Sequence, residues 1–250
     1  MSYLLEVKEL SKTYGEKKVV DKLSFHVNSG EILGLIGPNG AGKSTTIKMI
    51  IDVEEKGEGK IQYQGEATGK DMRKFKKSIG VVPQDLALYD DLNAYDNVSF
   101  FCSLYGYSGK ELKDRVKEAL DFVGLWDRRK ELPAKFSGGM KRRLNIACSI
   151  AHSPKLLIMD EPTVGIDPQS RNHIMEAIRS LNTCGTSVIY VSHYMEEIEA
   201  ICNRIVIMDH GNVIEDMEKE KLKAKYKTLG CNSLEEIFLQ LTGTQLREVV

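Results

Sequence analysis

The stretch "EILGLIGPNGAGKST", Glu31 to Thr45, constrains the fold more than any other. Its first part is a short apolar run that reads as a buried strand. Its second part fits G-x-x-x-x-G-K-[ST], with Gly37, Gly42, Lys43 and Ser44 in the fixed positions, and a helical segment through Ile47 and Ile50 follows. Strand, glycine-rich loop and helix in that order are the context in which such a loop cradles phosphate. A triphosphate needs converging N–H donors, and glycines let the backbone fold around it without Cβ clashes. The helix adds its positive N-terminal end. Lys43 is expected to reach the β and γ phosphates, and Ser44 to bind Mg²⁺. The expected binding loop is Gly37, Pro38, Asn39, Gly40, Ala41, Gly42, Lys43, Ser44 and Thr45.

Further strands and helices alternate along the chain. Leu4 to Leu10 and Val19 to Val27 mix apolar and polar residues, as in a partly exposed antiparallel sheet. Runs near Ile61 to Tyr63, Ile79 to Val82, Lys155 to Met159, Ser187 to Val191 and Arg204 to Met208 read as strands, and "DHGN" reads as a hairpin turn. Residues from about 85 to 150 read as mostly helical. Ser108-x-x-Glu111 predicts a capping box for a helix that stops at Gly124. Asp167-Pro168 predicts an N-cap followed by proline at the first helical position, and Ser233-x-x-Glu236 caps a last helix. The pattern predicts an α/β fold with a mainly parallel sheet, an antiparallel β subdomain and an inserted helical block.

Composition narrows the function classes. The chain has 250 residues, enough for one or two domains, and a net charge of -1. That charge gives no overall electrostatic footprint for nucleic acid or an anionic membrane. The basic runs Lys70 to Lys77, Arg128 to Lys130, Lys141 to Arg143 and Lys219 to Lys227 read as solvated helix faces. The five cysteines are widely spaced and form no C-x-x-C, which suits free thiols in a reducing compartment. The N-terminal "MSYLLEVKEL" does not read as a signal peptide. No run approaches the roughly 20 apolar residues of a membrane span, so a membrane role is expected to come through a partner.

"LLIMDEP" delivers Asp160 and Glu161 at the end of an apolar strand, where ligands bind in open α/β sheets. By itself the run could be a strand ending in solvated acids. Beside a phosphate loop, Asp160 is the expected Mg²⁺ partner and Glu161 the carboxylate that orients the attacking water.

"GPNGAGKST", "VVPQD", "FSGGMKRRL", "LLIMDEPTVGIDP" and "VSH" together resemble the ATP-binding subunits of ABC transporters, in order and spacing, over nearly the whole chain. The resemblance implies a P-loop NTPase core of the RecA-like kind. It also implies roles at matching positions. Gln84 is similar to the glutamine that senses Mg²⁺ and the attacking water, His193 to the switch histidine on the γ phosphate, and Tyr14 to the aromatic that stacks on adenine. For Tyr14 a sheet-edge tyrosine remains the alternative. Ser137, Gly138 and Gly139 resemble the signature that grips ATP held by another subunit, and Asp167 resembles the acid that crosses that interface. Two chains head-to-tail would then enclose each ATP, as a homodimer or a heterodimer. Phe136 and Met140 replace the outer residues of the commonest signature, Leu-Ser-Gly-Gly-Gln, and leave the Ser and both glycines intact. "GGMKRR", with "SLEEIFLQLTG", resembles the branch that exports drugs, lipids or sodium.

The implied layout is one cassette over 1–250. Residues 1–84 and 155–218 would form the catalytic core with its β subdomain, 85–154 the helical subdomain, and 219–250 a helical tail. The expected function is the ATPase of an exporter, peripheral at the cytoplasmic face of the cell membrane, with a transmembrane permease on a separate chain and no nucleic-acid partner. Two alternatives stay open: a cassette serving a soluble machine, and a non-catalytic nucleotide-dependent scaffold. The second predicts loss of Lys43 or Glu161, and both are present. Tyr89, Tyr95, Phe100, Phe101, Tyr105 and Tyr107 make the helical block aromatic-rich. Most are expected in the core, with one or two exposed near Gln84 to receive a helix of the membrane partner.

Overall fold

The computed structural model describes residues 3–70 and 72–243; 244–250 of the expected tail lie outside them. The chain divides into two compact units, Met1–Phe75 with Ser187–Val250, and Lys76–Thr186.

The first unit opens with β1 (Leu5–Tyr14) and β2 (Lys17–Val27), which pair antiparallel. Leu5, Val7 and Leu10 are buried while Lys8 and Glu9 face out, and an irregularity follows Val7, where Glu9 has φ 48°. Next come β3 (Ile32–Ile36) and α1 (Lys43–Ile50). Every residue of β3 is buried, as its unbroken apolar run predicts. β4 (Glu58–Tyr63) and β5 (Glu66–Ala67) complete a four-stranded sheet of order β2-β1-β4-β5. α2 (Met72–Ser78) then sets Phe75 against Tyr63, ring centroids 5.3 Å apart.

The second unit contains β6 (Ile79–Val82), α3 (Ala94–Ser103), α4 (Gly109–Phe122), α5 (Gly138–Ile150), β7 (Leu156–Asp160) and α6 (Pro168–Thr183). β6 and β7 pair parallel, so the three helices between them are an insertion, as expected. α4 starts at Ser108, but the capping box does not form: the Ser108 hydroxyl makes no cap bond. Gly109, the first helical residue, has φ 59°, which takes the turn out of capping geometry, and the Glu111 carboxylate pairs with Arg115 instead.

The chain returns to the first unit with β8 (Ser187–Val191), α7 (Met195–Ile201), β9 (Arg204–Asp209), β10 (Asn212–Glu218), α8 (Lys219–Lys227) and α9 (Leu234–Thr242). β3 lies between β8 and β9, parallel to both, and β10 closes antiparallel on β9. His210 and Gly211, at φ 45° and 79°, make the hairpin turn that "DHGN" predicts.

A buried histidine in the second unit makes stability acid-sensitive. His152 is 4% exposed, stacks on Tyr105 at 3.6 Å between centroids, and its Nε2 donates to the Ile79 carbonyl at 2.9 Å. Burial holds its pKa down to about 4, against an ordinary 6.5. Between those values the unfolded chain binds the proton and the folded chain does not, so stability falls as pH falls from 6.5 towards 4. At pH 5 the loss from this group is about 2 kcal/mol relative to pH 7. Urea unfolding of His152→Gln should show that much less acid loss than the parent. Equal losses in the two proteins would remove His152 as the cause.

Candidate functional site

The first unit supplies the phosphate loop. α1 begins at Gly42, whose φ is 96° and where a Cβ would meet the Val19 carbonyl oxygen at 2.7 Å, so only glycine fits. No side chain among the described residues caps this helix start. A helix start of this kind, with its positive dipole end, is a place where anions bind. Lys43 is 6% exposed, and its ammonium donates to the Gly37 carbonyl at 2.6 Å and the Pro38 carbonyl at 3.1 Å. The loop is tied from within, since Thr46 Oγ1 donates to the Gly42 carbonyl at 2.8 Å. Asn39, Gly40 and Ser44 are exposed, Pro38 and Thr45 half-buried, and Ala41 buried.

Two more expected residues lie in this unit. Tyr14 ends β1, 43% exposed, with Lys12 Nζ 5.1 Å from its ring centroid. His193 is exposed in the turn between β8 and α7. That turn is braced by Glu197, a buried carboxylate that accepts from Tyr190 Oη at 2.8 Å and Ser192 Oγ at 2.9 Å. Ser192 Oγ accepts in turn from the Tyr194 amide at 3.0 Å.

The second unit carries the acids and the signature. Asp160 is the last residue of β7, whose other four residues are buried. Glu161 follows at φ 49°, in the left-handed region that favours glycine. Such a backbone costs roughly 1–3 kcal/mol and tends to persist where function needs it. Gln84 is exposed, just past Pro83 and the end of β6. Ser137 N-caps α5, accepting from the Met140 amide at 3.3 Å, with Gly138 exposed beside it. Phe136, in the variant first position of the signature, is 6% exposed and anchors this turn. Asp167 N-caps α6 by accepting from the Ser170 amide at 2.9 Å, and that bond holds its carboxyl below the usual range.

The "ABC transporter" family model matches residues 20–164, which include the phosphate loop, the signature, Asp160 and Glu161. The chain belongs to the ABC transporter family. It is an ATP-binding protein of that family and an ATPase. The linearmycin resistance ATP-binding protein LnrL of Bacillus subtilis is 51% identical over 98% of this chain and 76% of its own length. A Nod factor export ATP-binding protein I of Sinorhizobium fredii is 39% identical over 92% and 67%. Among solved structures, an ATP-binding subunit of an ABC transporter superposes with TM-score 0.85 at 32% identity, covering 95% of this chain and 99% of its own. A dimeric post-hydrolysis ATP-binding cassette with ADP and Pi gives 0.77 at 27%, covering 86% and 98%.

Two sequence expectations for this ABC ATPase are corrected. The run Lys141 to Arg143 is not a solvated face: Arg142 is 4% exposed and donates to the carbonyls of Pro83 at 2.7 Å and Gln84 at 2.5 Å. Arg143 donates to the Val123 carbonyl at 2.8 Å, just past the end of α4. Arg142 lies four residues before Ile146 on the buried stripe of α5, and that spacing was the available signal. The six aromatics are likewise not mostly core, since none is buried. The inward positions of α3 go to Ala94, Asn97, Val98 and Cys102. Tyr89 and Phe100 are 48% and 39% exposed and meet edge to face at 5.0 Å, with Phe101 5.4 Å from Phe100.

Gly139 shows why the signature keeps its second glycine. A Cβ there would sit 2.1 Å from Ser170 Oγ and 2.5 Å from Ser170 Cβ. Gly139→Ala should therefore push α5 from the start of α6 and cost about 1–3 kcal/mol in urea unfolding. An unchanged midpoint would mean that the two helix starts separate freely.

Proposed function

We propose that this ABC ATPase hydrolyses MgATP as a head-to-tail dimer and powers export through a transmembrane permease on a separate chain. The observation that carries the reading is the pair of helix starts built for anions in one chain: α1 behind Gly37 to Lys43, and α5 behind Ser137 to Gly139. The first would hold the phosphates of its own ATP and the second would close on the γ phosphate held by the partner. The dimeric cassette with ADP and Pi supports a nucleotide-binding dimer. Closure is then linked to ATP binding, and hydrolysis reopens the dimer.

Each residue has a part. Lys43 and the loop amides hold the β and γ phosphates, and Tyr14 stacks on adenine. Glu161 accepts a hydrogen bond from the attacking water and orients it, with Gln84 beside that water and His193 on the γ phosphate. Asp167 meets the partner chain. The proposed metal donors Ser44, Asp160 and Gln84 are a hydroxyl, a carboxylate and an amide, all hard oxygen ligands that suit Mg²⁺. No cluster of three or more His, Cys, Asp or Glu among the described residues offers an all-protein cage. When bound, Mg²⁺ would offset phosphate charge; the chain itself contributes positioning and fixed dipoles.

The names of the relatives, resistance and export ATP-binding proteins, support the export direction. The solved relative cbiO1 of Clostridium perfringens, 27% identical with TM-score 0.82 over 92% of this chain and 94% of its own, is part of the complex cbiONQ and supports a multi-chain assembly. No helix among the described residues is long and apolar enough to cross a membrane. We place the chain peripherally at the cytoplasmic face, with exposed Tyr89, Phe100 and Leu86 receiving a permease helix. By role, 1–84 and 155–218 form the catalytic core, 85–154 the helical subdomain and 219–250 the tail. Capture of Glu161→Gln from gently solubilised membranes with MgATP should recover a multi-span protein in near-stoichiometric amount. Recovery of soluble proteins alone would move the assignment to a soluble machine.

A further inference from the structure

Arg142 is not among the residues assigned to ATP, yet it ties together two segments that carry such residues. Its two terminal nitrogens donate to consecutive carbonyls, of Pro83 at 2.7 Å and Gln84 at 2.5 Å. Arg142 itself is buried, at 4% exposure, while the two carbonyls it reaches lie at a part-buried edge. Five residues earlier on the same helix, Ser137 caps the signature start. At 1.5 Å per residue the two points are about 7.5 Å apart along a rigid axis. The Gln84 side chain itself is exposed and takes its direction from the backbone that Arg142 grips.

We infer that Arg142 is a positioning residue for hydrolysis, setting the direction of Gln84 relative to the signature end of α5. This rests on the reading of Gln84 as the residue beside the attacking water. A planar guanidinium can serve two adjacent carbonyls at once, whereas a lysine ammonium on a flexible stem is less able to hold both. A dimer contact at Ser137 to Gly139 is thereby transmitted to Gln84 without any further moving part. The bland alternative is that Arg142 only satisfies two carbonyls and supports the fold.

Steady-state kinetics, equilibrium ATP binding and thermal unfolding separate the two. The full-length chain would be compared with Arg142→Met, Arg142→Lys, Gln84→Ala and the double variant Arg142→Met/Gln84→Ala. Arg142→Met should lower kcat about 10-fold while ATP affinity stays within about 2-fold, and Arg142→Lys should recover part of kcat. In the Gln84→Ala background, Arg142→Met should have little further effect, because the group it positions is gone. Multiplying effects in the double variant, or an unchanged kcat per folded molecule in Arg142→Met, overturns the inference. If Arg142→Met does not fold, Arg142→Lys decides: a lowered kcat at unchanged ATP affinity supports the inference, and an unchanged kcat overturns it. A parent chain without MgATP hydrolysis, or Glu161→Gln turning over at the parental rate, brings down the hydrolytic reading itself, which sets that failure apart from failure at Arg142.

Discussion

Glu161→Gln is expected to slow ATP hydrolysis roughly 100- to 10,000-fold while leaving ATP binding intact. In β7, Leu156, Leu157, Ile158 and Met159 are fully buried and fix the strand. The chain then turns at Glu161 with φ 49°, so the backbone is committed to an unfavourable conformation at that residue. Gln keeps the size and the backbone preference of Glu closely enough to leave fold and ATP contacts unchanged. What it removes is the negative charge and the proton-accepting capacity. The variant should also hold a dimer in MgATP that falls apart without nucleotide, seen by light scattering. Turnover at the parental rate would remove Glu161 from catalysis. Glu161→Gly sharpens the test: it relieves the positive φ and should raise stability or leave it unchanged, while hydrolysis falls as far as in the Gln variant.

Lys43→Ala is expected to weaken ATP binding roughly 10- to 100-fold and to take hydrolysis to background. The Lys43 ammonium is held within the loop by the Gly37 and Pro38 carbonyls, so its charge adds to the partial positive charge of the α1 N-terminus. In the proposed site both would act on the same phosphates, and removal of one leaves the other, so binding should weaken rather than vanish. Lys43→Arg should not rescue it, because the wider guanidinium does not fit where a lysine that is only 6% exposed places its ammonium against two carbonyls. Fluorescence titration with a labelled ATP analogue reads the change. An affinity equal to the parental one would remove Lys43 from the phosphate site.

Much of this was legible in the chain because local signals and tertiary demands agree. The apolar run Ile32 to Ile36 admits only a buried strand, and the loop that follows needs Gly42 where φ is 96°. Asp167-Pro168 and Ser233 cap helices where their types predict. The failures come where a particular neighbour, near or far in sequence, overrides the residue-type signal. Ser108 loses its capping bond to the left-handed Gly109 and to the pull of Arg115 on Glu111. Arg142 reads as one of three surface bases until the carbonyls of Pro83 and Gln84 are seen to receive it. The aromatics of the helical block look like core by composition, but Asn97 takes an inward position to bind the Tyr89, Leu92 and Asn93 carbonyls and shape the preceding loop. Tyr89 and Phe100 are left outside as a surface.

The composite dimer is tested most directly by mixing two inactive chains. Lys43→Ala disables the phosphate loop and keeps the signature; Gly138→Asp places a carboxylate at the signature and keeps the loop. In a head-to-tail heterodimer one site inherits both defects and the other inherits none. Equal amounts of the two should recover up to about a quarter of the parental sites, since half the dimers are mixed and each holds one intact site. Activity that appears only on mixing is the predicted result. No activity at any ratio, with both variants still dimerising, would show that the signature and the phosphate loop of different chains do not share one ATP.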